Sequence, residues 1–443
     1  MVKRSWLIAA LTLCLGLVAD AQTQYILELK PGTDVNSLAS QFQFTILKSW
    51  TSTAEQGYKI SATSLSADSI GMLRDQPGVL DLEPETQLSE PESDSQSKAK
   101  ATLQALGAYA LDPTRVSYYG ATVRAGYVNQ PAAQLIELSA AHQIASTGNS
   151  TVAIIDTGVD PNHPALKQSL LTGYDFTRDQ PGASELNDLD QSTVAILDQS
   201  TVAILDTILY PVALGQSTVA ILDQSTVAIL DTTKLPKSFG HGTMVAGLVH
   251  LVAPGARLLP LKAFQSDGTA NLSDIVRAIH YAADNGSNVI VMSFTFDALS
   301  PDLQAAVSYA ASKGVICIAA AGNNGPGKYY YPAAIRGVIG VGSTNFSDRR
   351  SPFSNTEPSA ATSAPGEAIV TTYPGNNYAA AWGTSFSAPL VAGAVALFQQ
   401  IRPRWKSGDM RDVLDAGVHI DQDMGDARLD IFKSLTYCLV PHD

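Results

Sequence analysis

The chain has 443 residues, 45% of them hydrophobic and 16% charged, which excludes a disordered polypeptide and allows two or three domains around a substantial core. A formal net charge of −13 argues against a nucleic-acid partner, which ordinarily leaves a basic footprint; it implies solubility and says little about substrate. The N-terminus carries Lys3 and Arg4, an apolar run from Trp6 to Val18, and then Ala19-Asp20-Ala21. A short basic region, an apolar core and an Ala-x-Ala site predict a secretory signal over 1–21, its apolar run too short to span a membrane comfortably. No later segment reads as long and apolar enough to anchor the chain, so a secreted protein is expected, periplasmic or extracellular. Cys14 leaves with the signal. Cys317 lies in an apolar strand-like run and reads as a free core thiol, while pairing with Cys438 stays open.

Next comes Gln24–Leu29, alternating apolar and polar like a half-buried strand and ending at Pro31-Gly32. Helical spacing over Val35–Phe44, a strand at Gly57–Ser61, a helix over Ser64–Asp75 and a strand at Val79–Pro84 complete a small α+β unit, assigned to 22–89. The polar stretch Glu90–Lys100 reads as a linker, and 90–140 as a linker and processing region.

From Ala141 to the end (141–443), β-branched apolar runs alternate with amphipathic helices, which predicts an α/β domain with a mainly parallel sheet covered on both faces. The expected strands are Thr151–Ile155, Arg257–Lys262, Asn288–Ser293, Val315–Ala320 and Gly337–Gly342. A helix over Ser273–Asn285 has Ser273 as candidate N-cap, and Thr384–Gln400 reads as an apolar helix that tolerates Pro389 near its start. An insertion at 191–231 holds Gln-Ser-Thr-Val-Ala-Ile-Leu-Asp four times, at Gln191–Asp198, Gln199–Asp206, Gln216–Asp223 and Gln224–Asp231. Each copy nearly duplicates Ser150–Asp156. Each tandem pair reads as strand–turn–strand with Asp-Gln-Ser as the turn, and the Pro211 and Gly215 of the spacer as breakers. The surplus aspartates read as products of duplication, because only Asp156 is followed by Thr157-Gly158. Such uncharged β-formers would be an aggregation hazard if exposed.

Three motifs carry chemistry: Val152-Ala153-Ile154-Ile155-Asp156-Thr157-Gly158, Gly240-His241-Gly242-Thr243, and Gly383-Thr384-Ser385-Phe386-Ser387-Ala388-Pro389. They supply an acid, a base and a nucleophile in the order Asp, His, Ser, which separates the subtilisin triad from the chymotrypsin and α/β-hydrolase orders. A serine hydroxyl needs a base in reach; His241 would take its proton, and Asp156 would hold the imidazole tautomer. Ser385 at a helix N-terminus would bring its backbone N–H to developing negative charge. His163, His250 and His280 lack metal-ligand spacing and read as structural.

From about Ala141 to about Leu435 the chain resembles the subtilisin-like (subtilase) serine peptidases. The resemblance implies a three-layer subtilisin-like domain preceded by a propeptide, which would act as folding template and intramolecular inhibitor and be removed by self-cleavage. It assigns the catalytic roles to Asp156, His241 and Ser385. Ala319-Ala320-Ala321-Gly322-Asn323-Asn324-Gly325 matches the oxyanion segment and gives that role to Asn323, with Asn324 as the structural neighbour. Substrate would lie as a strand beside Ser293, Phe294 and Thr295, the last replacing a glycine common in the family and so narrowing or re-aiming the P1 pocket. Polypeptide substrates, a monomer and no cofactor for catalysis are implied. Structural calcium is common among relatives and stays possible here with its site unknown, since Asp160, Asp175, Asp179 and Asp188 are scattered and form no compact ligand loop. The alternatives are a catalytically silent secreted binding protein on the same fold and an assembly protein driven by the octapeptides.

Overall fold

The computed structural model describes residues 23–53, 55–62, 65–89, 108–146, 150–189, 211–214, 217–221, 235–236, 238–420, 423–425 and 427–440. The signal expected over 1–21, the polar linker at 90–100 and the first, second and fourth octapeptide copies lie outside these residues. The chain divides into two compact units after Glu85.

The first unit runs β1 (Thr23–Leu29), α1 (Val35–Phe42), β2 (Phe44–Thr51), β3 (Gln56–Ala62), α2 (Ala67–Arg74) and β4 (Val79–Pro84), with an antiparallel sheet in the order β2-β3-β1-β4. Asp34 caps α1 by accepting from the N–H groups of Asn36 and Ser37, and Ser66 caps α2 by accepting from Ser69 N–H. Leu27, Leu29, Ile60, Leu73 and Leu82 are fully buried in its core. Strand β2 was not expected from the sequence. Gln43, in the left-handed region at φ 56°, stops α1 and turns the chain directly into it.

The second unit begins with β5 (Gln87–Ser89), the hairpin of β6 (Arg115–Tyr118) and β7 (Ala121–Arg124), and β8 (Thr151–Asp156). The short strands β9 (Tyr174–Asp175) and β10 (Gln180–Pro181) follow, then β11 (Pro211–Leu214) and β12 (Ser217–Ile221). Next are α3 (His241–Val252), β13 (Arg257–Lys262), β14 (Thr269–Asn271), α4 (Leu272–Asp284), β15 (Val289–Met292), α5 (Pro301–Ser312) and β16 (Ile316–Ala320). The remainder comprises β17 (Val338–Thr344), β18 (Thr362–Pro365), β19 (Ile369–Tyr373), β20 (Asn377–Trp382), α6 (Thr384–Ile401), α7 (Ser407–Asp415) and α8 (Ile431–Leu439).

Its main sheet has the order β10-β9-β13-β8-β15-β16-β17-β18, parallel throughout except for edge strand β10. Strand side chains alternate between faces. Val152, Ile154, Val289, Val291, Ile316 and Ile318 share one core with α3 and α6, while Ala153, Ile155, Ile290 and Cys317 are buried on the other side. Helices α4 and α5 pack together and against β8, β13 and β16. Burial on both faces explains why these strands read as unbroken apolar runs. Each fully buried Val, Leu or Ile stabilises the fold by about 1.5–3 kcal/mol.

The chain leaves β8 through α3 to β13 on one side, then returns through α4 to β15 on the other. That reversal makes the carboxyl end of β8 a topological switch point, where open α/β sheets form their binding crevices. Asp156 stands there.

Three expectations differ from the structure, and the open question of the cysteines closes. Helix α4 is preceded by Asn271, not capped by Ser273; the Asn271 amide donates to Asp274 at 2.9 Å, and Ser273 is buried inside the helix. Helix α6 is long and apolar enough by composition to cross a membrane, contrary to the reading that nothing after the signal is; it is apolar because it is the buried central helix. Within the spacer between the octapeptide pairs Pro211 does not break a strand but opens β11, where no interior ladder bond is lost, while Gly215 lies outside the described residues. Strand β11 pairs with β12 from the third copy, and β12 pairs antiparallel with β20, giving a sheet β11-β12-β20-β19. Cys317 and Cys438 are both free and buried, and burial pushes their thiols up to about 12 and about 11.

Candidate active site

Each candidate side chain projects from the end of a buried element. Asp156 closes β8 and is 3% exposed. Its Oδ1 accepts from Thr157 N–H at 2.8 Å and lies 2.8 Å from Nδ1 of His241, the first residue of α3. Residues 85 positions apart in sequence therefore meet in a buried hydrogen bond. Gly242 is what lets them approach: a Cβ there would stand 2.0 Å from Gly158 O and 3.2 Å from Asp156 Cβ. Gly158 itself has φ +103°, a conformation that side chains rarely adopt.

Ser385 is the second residue of α6 and is 3% exposed. The ring of its neighbour Phe386 lies 5.6 Å from the His241 ring. Ser385 Oγ donates to Ser293 O at 3.0 Å, and Ser293 Oγ donates back to Ser385 O at 3.0 Å.

Asn323 follows β16 and is 2% exposed, whereas Asn324 faces solvent. Its Oδ1 accepts from Thr384 N–H at 2.8 Å and from Thr384 Oγ1 at 3.0 Å. A backbone N–H can only donate, so the amide oxygen is fixed on Thr384 and the NH₂ is the end directed elsewhere. Ser293, Phe294 and Thr295 follow β15 and are buried. Phe294 is sandwiched between Phe264 at 4.8 Å and Phe296 at 5.5 Å. Two elements here were not anticipated. Strand β14 carries β5 as an antiparallel partner, Thr269 opposite Ser89 and Asn271 opposite Gln87. Glu185, in a short 3₁₀ turn, bonds both the Asp156 and the His241 segments.

The surrounding charges are paired. Lys262 Nζ, at the end of β13, donates to Thr157 O, Phe264 O and Asp188 at 2.6–2.8 Å. Asp188 also pairs with Arg178, which reaches Asp175, while Asp179 pairs with Arg277. Asp160 accepts from Asn162 N–H and Gly375 N–H. Asp175 and Asp188 share Arg178, while Asp179 and Asp160 are held elsewhere, so among the described residues the four aspartates weighed for calcium do not form one ligand set. His163 bonds Asn377 O at 3.1 Å, His250 lies 3.4 Å from Ser169 Oγ, and His280 stacks on Tyr309 at 4.7 Å.

Residues 147–425 match the model of the subtilase family. The chain is a subtilase. This subtilase is 35% identical over 246 residues to a thermophilic serine proteinase of Bacillus sp. (strain AK1), which covers 56% of the chain and 51% of that protein. It is 37% identical over 182 residues to subtilisin Savinase of Lederbergia lenta, covering 39% of the chain and 68% of that protein. It thus spans about half the length of the first of these relatives. Among solved structures it is similar to fervidolysin of Fervidobacterium pennivorans, a keratinolytic enzyme related to subtilisin, with TM-score 0.65, 19% identity, and 94% and 61% of the two chains covered. It is also similar to a lanthipeptide protease, with TM-score 0.53, 22% identity, and 69% and 93% covered. At those identities the two structures speak to the fold, a subtilisin-like α/β domain with a mainly parallel sheet.

Proposed function

We propose that this subtilase is a secreted serine endopeptidase that cleaves polypeptides through an acyl-enzyme and is made as a self-processing precursor. The 2.8 Å bond between Asp156 and His241 at the switch point carries the reading. Asp156 fixes the imidazole with its other nitrogen available to act as base. Ser385 is the nucleophile. His241 takes its proton as the acyl bond forms and returns it to the leaving amine. The Ser385 N–H and the Asn323 NH₂ are the donors to the tetrahedral oxyanion, at a helix N-terminus whose dipole favours that charge.

Substrate binds as an added strand. Strand β5 on β14 supports this, since an extended segment of the chain already pairs with that edge, and it supports a product-like role for the end of the 22–89 propeptide. Thr295 and the Phe264–Phe294–Phe296 cluster limit the side chains accepted beside the scissile bond. No cofactor takes part in the chemistry.

The test compares the full chain with Ser385→Ala, following chain size and fluorophosphonate labelling. The native chain is expected to shorten and label and the variant to do neither. A folded native chain that neither shortens nor labels sinks the peptidase reading and favours a silent binding protein.

A further inference from the structure

Glu185 is a buried acid with no part in the proposed chemistry, yet it is bonded to both arms of it. It is fully buried in the turn Glu185–Asp188. Its Oε2 accepts the N–H of Gly240 at 2.7 Å, the residue before His241, and lies 3.3 Å from Oγ1 of Thr157, the residue after Asp156. Its Oε1 is bonded to the hydroxyl of Thr243, in the first turn of α3. We propose that Glu185 is a positioning residue that ties the Asp156 turn to the start of the His241 helix, and that its protonation decides which carboxylate receives the Thr157 hydroxyl proton. The inference rests on the peptidase reading above.

One hydrogen atom is contested. Thr157 Oγ1 accepts from Gly242 N–H at 3.0 Å and lies 3.3 Å from Asp156 Oδ1 and 3.3 Å from Glu185 Oε2. A hydroxyl has a single proton to donate, so it serves one of these carboxylates at a time. An ionised Glu185 draws that proton away from Asp156; a protonated Glu185 leaves it there.

The groups facing Glu185 set when this happens. Burial pushes its carboxyl up to about 8, the donors Thr243 and Gly240 oppose that, Asp160 from the turn after β8 adds to it, and Lys262 from β13 draws it down. Tyr373 of β19 is pushed up by its own burial and by Glu185, so it stays neutral. His241 follows the bonded Gly240 directly. Near neutrality Glu185 is therefore protonated and Asp156 holds the Thr157 bond.

Above about pH 8 Glu185 ionises, with two effects of one sign. A negative charge appears beside the imidazolium that forms during catalysis, and Asp156 loses a donor and becomes a stronger partner for it. The rate rises through the ionisation of Glu185.

The test is the rate of fluorophosphonate inactivation of the full chain, wild type and Glu185→Gln, between about pH 5 and about pH 10. Wild type is expected to show two ionisations, the upper one near 8 with a several-fold rise. Glu185→Gln, which keeps an acceptor for Gly240 N–H, is expected to show only the lower one. Thr157→Val, which removes the contested proton, is expected to shrink the upper step. A wild-type profile with a single ionisation, or a Glu185→Gln profile of the same shape as wild type, overturns the proposal. So does an undiminished step in Thr157→Val. If Glu185→Gln does not fold, the wild-type profile and Thr157→Val decide. Absence of labelling at every pH in the wild type sinks the peptidase reading instead, which keeps the two failures apart.

Discussion

Ser150-Thr151-Val152-Ala153-Ile154 at the start of β8 and Ser217-Thr218-Val219-Ala220-Ile221 in β12 are the same five residues in two settings. In β8 they lie in the middle of a parallel sheet, Val152 between Leu258 and Val289. In β12 they pair antiparallel on both sides, Val219 opposite Val212 and Ala381. Local sequence accounts for the extended backbone in both, through β-branched Thr, Val and Ile. It does not choose the partner strand or its direction. What sets β8 apart is the chain after it: Asp156-Thr157-Gly158, the glycine turn and the side chains of Glu185 and Lys262 that hold it.

Removing the terminal acid from each copy should separate the two strands most strongly. Asp156→Asn is expected to lower the rate of fluorophosphonate inactivation by about 10⁴-fold, since the amide stabilises the wrong imidazole tautomer. Asp223→Asn, at the end of the third octapeptide, is expected to leave that rate unchanged. Equal losses in the two variants would mean that the copies share the chemistry.

A smaller effect tests the strand two places along the sheet from β8. Asn323→Ala, just beyond β16, is expected to cost about 10²–10³ in turnover of a peptide substrate with little change in KM, the size found for this donor in subtilisin. A loss confined to KM would reassign Asn323 to substrate binding.

The smallest expected effect concerns His163, whose bond to Asn377 O and contact with the Tyr378 ring at 5.5 Å tie the turn after β8 to β20, on which β12 lies. Burial pushes His163 down to about 4, and His250 likewise. An unfolded histidine titrates near 6.5, so as pH falls the unfolded chain binds protons first. The stability these residues contribute is complete above about pH 6.5 and is lost towards pH 4, at roughly 1.4 kcal/mol per unit for each. Urea unfolding at several pH values should show that slope, shallower in His163→Gln. An identical slope in the variant would remove His163 as its source.

The candidates Asp156, His241, Ser385 and Asn323 stand out in the sequence because each sits in a short motif whose neighbours serve it locally. The central strands could be picked out because burial on two faces leaves a continuous apolar run. Glu185 could not, since its partners lie 28, 55 and 58 residues away and nothing around it repeats or alternates. Nor could the partner of β12, which lies about 160 residues downstream in β20, or strand β2, which one left-handed residue separates from a helix. The direction of the Ser385 hydroxyl depends on a carbonyl 92 residues away, and no local pattern carries that information.

The two buried thiols have a practical consequence. Cys317 lies in the middle of the main sheet on β16 and Cys438 in helix α8, and burial keeps both protonated across the ordinary working range. Alkylating reagents act on the thiolate, so Cys317 and Cys438 are closed to them in the folded chain and each reacts only when its own element opens. The molecule therefore carries two internal clocks, one timing the breach of the sheet and the other the release of the C-terminal helix, readable by mass without adding any label site.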